Sequence, residues 1–184
     1  KGANVVGVDS DPRVVSLVND GKPPVQEPGL GGLMKNAAGH LTATRDLHQA
    51  VQETDVSLIV VPTPSGEDGN FSLRHVLDVA QHIGTALAEK DGYHIVCLNS
   101  TVLPNATEEQ VKPLIERESG KSCGRDFGLA YAPEFIALGT VISNFLNPDF
   151  VMVGESDDRT GSKLAELYSM VCENDPQITR MSIL

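Results

Sequence analysis

Short apolar segments alternate with longer amphipathic segments along the chain. The apolar segments are rich in valine, isoleucine and leucine, and several show no polar alternation. This pattern is typical of strands in a sheet that is covered on both faces. The predicted strands lie at 4–9, 41–44, 56–61, 93–98, 127–132 and 150–154.

Amphipathic helices are predicted between these strands. Over residues 73–90, apolar side chains recur at three- and four-residue steps and form one stripe, and residues 160–171 repeat the pattern. Alternation of strands and helices predicts a Rossmann-like, doubly wound α/β fold. Its sheet should be mostly parallel, with helices on both faces.

Capping residues and prolines indicate where further elements begin. Asp11 and Pro12 are suited to begin a helix directly after the first strand. Residues 21–33 are rich in proline and glycine, so we predict a loop there. Residues 105–119 are predicted to form a helix that Pro113 bends.

Composition limits the classes of partner. The 184 residues suffice for one domain with a core, and their formal charge of -11 argues against nucleic acid and anionic membranes as partners. We expect no membrane association, because no apolar run approaches the roughly 18 residues that span a bilayer. Three widely spaced cysteines argue against a disulfide framework and against a zinc or other metal site. They fit a cytoplasmic protein.

An acidic residue ends the first predicted strand. A carboxylate such as Asp9 at a strand tip binds ribose in dinucleotide-binding domains, where it disfavours a 2′-phosphate and so favours NAD over NADP. Arg13 leaves NADP open, since a nearby arginine accommodates that phosphate. Asp9 alone also fits an S-adenosylmethionine methyltransferase, or a residue that only caps a turn.

Polar residues follow three further predicted strands. Pro62 and Thr63 come after the strand at 56–61, and Ser100 and Thr101 come after the strand at 93–98. Glu134 follows the strand at 127–132 and is a candidate general base. Ligands of open α/β sheets bind at these carboxyl ends. The alternative is that the two hydroxyls at 100 and 101 only satisfy the loop backbone.

Six segments match one known family in order and without large gaps. They are VVGVDSDPRVV, GKPPVQEPGLGGLM, IVVPTPSGEDGNFSL, NSTVLPNATEEQVKPLIE, LAYAPEFIALG and FLNPDFVMVG. On these segments, the chain resembles the N-terminal NAD-binding domain of the UDP-glucose/GDP-mannose dehydrogenase family. The resemblance covers nearly the whole chain.

The resemblance implies a reaction. Members of the family are NAD-dependent nucleotide-sugar 6-dehydrogenases, which oxidise the primary alcohol of a UDP-sugar such as UDP-glucose to a carboxylate. Two NAD are reduced, and the carbon passes through a thiohemiacetal and a thioester on a cysteine. Covalent attachment holds the aldehyde for the second hydride transfer.

The resemblance also implies roles for individual residues. It assigns cofactor contacts to Asp9, Arg13, Pro62, Thr63, Ser100 and Thr101. Asp9 would hold the adenosine ribose and Thr63 would lie near the nicotinamide. Val14 occupies the family's usual basic position, and whether Arg13 substitutes for it stays open. The catalytic assignments are Thr101, which positions water or stabilises charge, and Glu134, which assists thioester hydrolysis.

Two departures from the family pattern affect this interpretation. Family members begin with a strand, a GxGxxG-like phosphate loop and a helix, and these are expected to be missing here, as are the central helix and the later domain with the cysteine. We therefore interpret residues 1–184 as a partial NAD-binding domain, inactive alone, of a protein that assembles as a homodimer or larger. Leu138 replaces a common acidic residue, which weakens the UDP-glucose assignment.

Several alternatives stay open. The substrate can instead be GDP-mannose or a 2-acetamido sugar such as UDP-N-acetylmannosamine. The chain can also be a non-catalytic Rossmann-like binding module, or the methyltransferase that Asp9 alone allows. The strand ends at Thr63, Thr101 and Glu134 disfavour the methyltransferase.

Overall fold

The fold was examined in a computed structural model that describes residues 2–65, 71–137 and 139–183. Its strands are β1 Val5–Val8, β2 Leu41–Thr44, β3 Val56–Ile59, β4 His94–Leu98, β5 Phe127–Tyr131, β6 Phe150–Glu155 and β7 Gln177–Ser182. Its α-helices are α1 Pro12–Asn19, α2 Leu30–Asn36, α3 Leu47–Glu53, α4 Arg74–Glu89, α5 Lys112–Ser119, α6 Val141–Leu146 and α7 Asp158–Val171, and a π-helical turn spans Thr107–Val111. Within these described ranges, no helix has both the length and the apolar composition needed to cross a bilayer.

The strands form two sheets. β1 pairs with β2 in parallel, and β3–β4–β5–β6–β7 form a five-stranded sheet in that order. All neighbours in the larger sheet are parallel except β5 and β6. The fold is therefore α/β with mostly parallel sheets, as predicted.

The larger sheet is buried on both faces. On β4, Val96 and Leu98 belong to one apolar cluster, whereas Ile95 and Cys97 belong to another. The first cluster packs under α4 and α5, and the second packs against Leu164 of α7. Since neighbouring strand residues point to opposite faces, this alternation places helices on both sides and explains why the strand has no polar face.

The predicted strands are all present, but one strand was missed. The segment of β7 carries Gln177, Thr179 and Arg180, so its sequence lacks the apolar run that marks the other strands. Its position is decided by parallel pairing with β6. Across that pair, Arg180 Nε lies 2.7 Å from Glu155 Oε2.

Two predicted boundaries differ in the structure. The prediction of a loop over 21–33 is wrong at its end, because α2 begins at Leu30 after Gly29 in the left-handed conformation. The predicted helix over 105–119 divides into the π-helical turn and α5, with Pro113 in the first turn of α5. Proline has no N–H to donate to the carbonyl four residues earlier, so regular α-helix starts there.

Candidate functional site

The carboxyl ends of three parallel strands meet at one edge of the larger sheet. Ile59 of β3 is in register with Leu98 of β4, which is in register with Tyr131 of β5. The segments that leave these strands therefore begin side by side. They carry five of the predicted site residues, Pro62, Thr63, Ser100, Thr101 and Glu134.

The Ser100 hydroxyl joins the ends of β3 and β4. Its Oγ donates to the Val61 carbonyl at 2.8 Å and accepts from the Val61 N–H at 2.8 Å. The side chain is buried. These bonds hold the chain just before the Pro62 turn, which is the backbone role considered as the alternative above; a cofactor contact by Ser100 stays a prediction.

The two threonine hydroxyls are differently placed. Thr101 is exposed and Thr63 is half-buried, and neither has a hydrogen-bond partner within the described ranges. After Thr101 the chain turns through Asn105, whose φ of 68° is left-handed, and enters the π-helical turn. Such turns occur frequently at functional sites. Both hydroxyls are available to a ligand at the sheet edge.

Glu134 is half-buried beyond the end of β5. Asn99 Nδ2 donates to its Oε1 at 3.3 Å. Burial raises the pKa of the Glu134 carboxyl above its ordinary value, because the charged form loses solvation. A cavity of about 30 Å³ lies beside it, lined on the other side by Tyr168. This is room for about one water molecule.

Asp9 directly follows β1 of the smaller sheet, and Arg13 lies in the first turn of α1. Asp9 Oδ1 accepts from the Asp11 N–H at 2.8 Å in a turn that leads into α1. The Arg13 guanidinium is exposed and pairs with Asp11 at 2.7 Å, which lowers the pKa of Asp11 to about 2. Within the described ranges, no hydrogen bond connects Asp9 or Arg13 to the residues of the larger sheet's edge.

Three residues near the site were not identified from the sequence. Asn99 and Tyr168 meet beside Glu134, with Asn99 Nδ2 3.1 Å from the Tyr168 hydroxyl. Glu27, in the proline-rich loop, accepts from the Val141 N–H at the start of α6 at 2.9 Å. Asn99 could have been identified as a polar residue that directly follows an apolar strand. Tyr168 lies within the apolar stripe of a predicted helix, and no sequence signal indicated a role for Glu27.

The cysteines are placed poorly for nucleophilic chemistry. Cys97 is buried in β4, and burial raises the pKa of its thiol to about 12. Cys172 is buried as well, and burial raises the pKa of half-buried Cys123. Within the described ranges, no three His, Cys, Asp or Glu side chains form a group that could hold a metal ion. Leu138 lies outside the described residues.

Comparison with known proteins identifies the family. Residues 1–172 match the model of the UDP-glucose/GDP-mannose dehydrogenase family, NAD binding domain. The GDP-mannose 6-dehydrogenase of Pseudomonas aeruginosa is 40% identical over 185 residues, which are 100% of this chain and 42% of that protein. The UDP-glucose 6-dehydrogenase of Haloferax volcanii is 38% identical over 99% of this chain and 43% of its own length.

Solved structures agree in fold. The ternary complex of GDP-mannose dehydrogenase from Pseudomonas aeruginosa superposes with a TM-score of 0.94 at 40% identity, over 99% of this chain and 42% of that one. The UDP-glucose dehydrogenase of Pyrobaculum islandicum gives 0.90 at 34% identity, over 98% and 41%. The chain spans less than half the length of these relatives, and it belongs to the UDP-glucose/GDP-mannose dehydrogenase family, whose NAD-binding domain it matches over residues 1–172.

Proposed function

We propose that this chain is part of an NAD-dependent nucleotide-sugar 6-dehydrogenase, with residues 1–184 forming part of its NAD-binding domain. NAD is the cofactor of this domain, and when bound it would supply the hydride acceptor for oxidation of the sugar carbon. The proposal depends on one observation. An exposed hydroxyl, Thr101, and a half-buried carboxyl, Glu134, follow neighbouring parallel strands at the edge where α/β sheets bind ligands.

The residues present fit one end of a dinucleotide. Asp9 uses only Oδ1 in its turn, and its Oδ2 has no hydrogen-bond partner within the described ranges, so it can accept from ribose hydroxyls. Arg13 is held by Asp11, which reduces its capacity to bind a 2′-phosphate and supports NAD over NADP. The sequence of the 184 residues contains no GxGxxG, so the contacts proposed here are those of the ribose and nicotinamide ends only.

Thr101 and Glu134 are proposed to act on water and charge. The exposed Thr101 hydroxyl can orient a water molecule or donate to a developing oxyanion. Glu134 can accept the proton of the water that cleaves the thioester, and its raised pKa makes it a better proton acceptor near neutral pH. Cys97 and Cys172 are buried, and burial raises the pKa of Cys97 and of half-buried Cys123, so we propose that none of the three is the thioester-forming cysteine.

Two substrates are considered. UDP-glucose is the first candidate, because the UDP-glucose 6-dehydrogenase of Haloferax volcanii is 38% identical to this chain. GDP-mannose is the second candidate, because the GDP-mannose 6-dehydrogenase of Pseudomonas aeruginosa is 40% identical. Leu138 replaces an acidic residue that is common in both glucose- and mannose-type members, so it favours neither sugar over the other.

The test is NADH formation by a protein that contains this chain together with its flanking segments. UDP-glucose, GDP-mannose and UDP-N-acetylmannosamine are supplied separately, and one of them should yield two NADH per sugar. Thr101→Ala and Glu134→Gln should each lower kcat by about 100-fold or more, the range for removal of a group that handles protons or developing charge.

Two control substitutions match Thr101→Ala and Glu134→Gln in residue type. Thr85→Ala and Glu166→Gln alter exposed residues on the outer surfaces of α4 and α7, so kcat should be unchanged. If the folded protein forms no NADH with any of the three sugars, the proposal is contradicted and a non-catalytic binding module is favoured. The 184-residue chain alone should bind NAD weakly and reduce none. Robust turnover by this chain alone would refute the proposal that the reaction also needs residues outside it.

A further inference from the structure

We propose that Asn99 is a positioning residue for Glu134, whose carboxylate it holds through its side-chain amide. The inference depends on the proposed function, since it concerns the residue assigned there to thioester hydrolysis. It concerns the position immediately before the predicted Ser100–Thr101 pair, to which the sequence assigned no role.

The Asn99 amide lies where β4 and β5 separate. The Asn99 backbone N–H donates to the Ile59 carbonyl at 3.0 Å, which fixes the residue at the strand end. Its Nδ2 lies 2.8 Å from the Ala132 carbonyl, 3.1 Å from the Tyr168 hydroxyl and 3.3 Å from Glu134 Oε1, so its two hydrogens are shared among three acceptors. One amide therefore bridges the two strand ends and reaches the carboxylate two residues beyond Ala132.

The orientation of this amide is determined by its surroundings. Asn99 is 6% exposed, and its Oδ1 is buried without a hydrogen-bond partner within the described ranges. A flipped amide would place that oxygen against the Ala132 carbonyl and the Glu134 carboxylate, which are both acceptors. The buried Oδ1 therefore lacks a compensating hydrogen bond within the described ranges, whereas Nδ2 faces acceptors on Ala132, Tyr168 and Glu134.

The surroundings of Glu134 otherwise disfavour its charge. The titratable groups against it are Tyr168 on α7 and Cys97 on β4, and burial raises the pKa of both, so they stay neutral. α6 and β6 contribute Asn144, Phe145, Phe150 and Val151 to the same cavity, and Glu134 is its only charged lining residue among the described ones. A hydrogen bond from Asn99 favours the ionised form, and thereby both orients the carboxylate and opposes the effect of burial.

The primary experiment follows the Asn99 side-chain N–H signals of the wild-type chain by NMR as pH changes. They should shift with the same midpoint as the Glu134 carboxyl carbon. In Glu134→Gln, which keeps an acceptor but does not titrate, the Asn99 shift should disappear. Asn19, whose side chain bonds only the backbone of Ala43, is the matched control, and its signals should not follow Glu134.

A second variant measures the effect on Glu134 itself. Asn99→Ala should raise the Glu134 pKa by about half a unit or more, because the donor to the carboxylate is lost. Asn19→Ala should leave that pKa unchanged. If Asn99→Ala does not fold, the titrations of the wild type and of Glu134→Gln still test whether Asn99 responds to the Glu134 carboxylate.

The results that would overturn the inference are specific. Asn99 signals that ignore the Glu134 titration, or a Glu134 pKa unchanged in folded Asn99→Ala, would show that Asn99 only bridges the strands. Neither measurement requires substrate or NAD. Failure of the proposed dehydrogenase activity is therefore distinguishable from failure of this inference.

Discussion

At the scale of single residues, His94 is a neutral imidazole at the amino end of β4. The ring is completely buried, with Nε2 2.9 Å from Ser57 Oγ and Nδ1 3.0 Å from the Thr54 carbonyl. Burial, together with the nearby Lys90 charge, lowers the pKa of His94 to about 4. An unfolded histidine titrates near 6.5, so the unfolded state binds the proton first as pH falls.

This difference predicts a pH-dependent stability. Between about pH 6.5 and pH 4 the unfolded state binds more protons, so the free energy of unfolding falls as pH decreases and stops responding to His94 below pH 4. From pH 7 to pH 5 the contribution of His94 is on the order of 2 kcal/mol. Urea unfolding at both pH values measures it.

Two substitutions separate the contribution of His94 to the pH dependence of stability from that of other groups. His94→Gln should remove most of this pH dependence, whereas His75→Gln, at an exposed position of α4, should retain it. Equal pH dependence in wild type and His94→Gln would contradict the assignment of the effect to His94.

At the scale of elements, β5 and α7 pack closely because Gly128 has no side chain. A Cβ at Gly128 would collide with the hydroxyls of Thr160 and Tyr93. Thr160 lies in the first turn of α7, where the capping residue Asp157 accepts from the Thr160 N–H at 3.0 Å and from the hydroxyl of Tyr93, which precedes β4, at 2.8 Å. The glycine therefore permits the cap of α7 to lie on the sheet.

Gly128→Ala is expected to destabilise the chain by about 1–3 kcal/mol, since the added methyl group overpacks a buried contact. The melting temperature should fall by about 2–4 °C for each kcal/mol lost in a domain of this size. Gly32→Ala, inside α2 with no atom near its Cβ position, is the matched control and should be neutral or stabilising. An unchanged melting temperature for Gly128→Ala would contradict the packing argument.

At the scale of the whole molecule, each sheet has an edge strand that pairs on one side only. Within the described residues β1 pairs only with β2, and β3 has only β4 as a neighbour. Both strands expose apolar side chains, including Val5, Val8 and Leu58. Strands without a polar face are usually covered, so we expect a further strand to complete the sheet at these edges.

Hydrogen exchange tests this expectation. The Val5 and Asp9 N–H groups bond to β2, so by alternation those of Val6 and Val8 point to the open edge. In a protein extended by about 30 residues before Lys1, enough for a strand, loop and helix, the Val6, Val8 and Leu58 amides should exchange more slowly. The Ile95 amide, bonded to Asp55 in this chain, should be protected in both. Unchanged exchange at the open edges would contradict strand completion.

The sequence was sufficient for most elements and for which strand ends carry polar residues. Apolar periodicity, Asp11 and Pro12 as a helix start, and the position of Glu134 after an apolar run are local features, readable within a few residues. β7 was missed because its pairing with β6, and not its composition, makes it a strand. The roles assigned to Asp9, Thr63, Thr101 and Glu134 stay predictions.

What the amino-acid sequence determined by itself was the α/β class and the family, since both depend on patterns and motifs along the chain. Only the tertiary structure decided that Ser100 bonds Val61, that Asn99 reaches Glu134, and that the strands divide into two sheets. These facts join residues tens of positions apart. Their proximity depends on strand register and helix packing, which no short stretch of sequence contains.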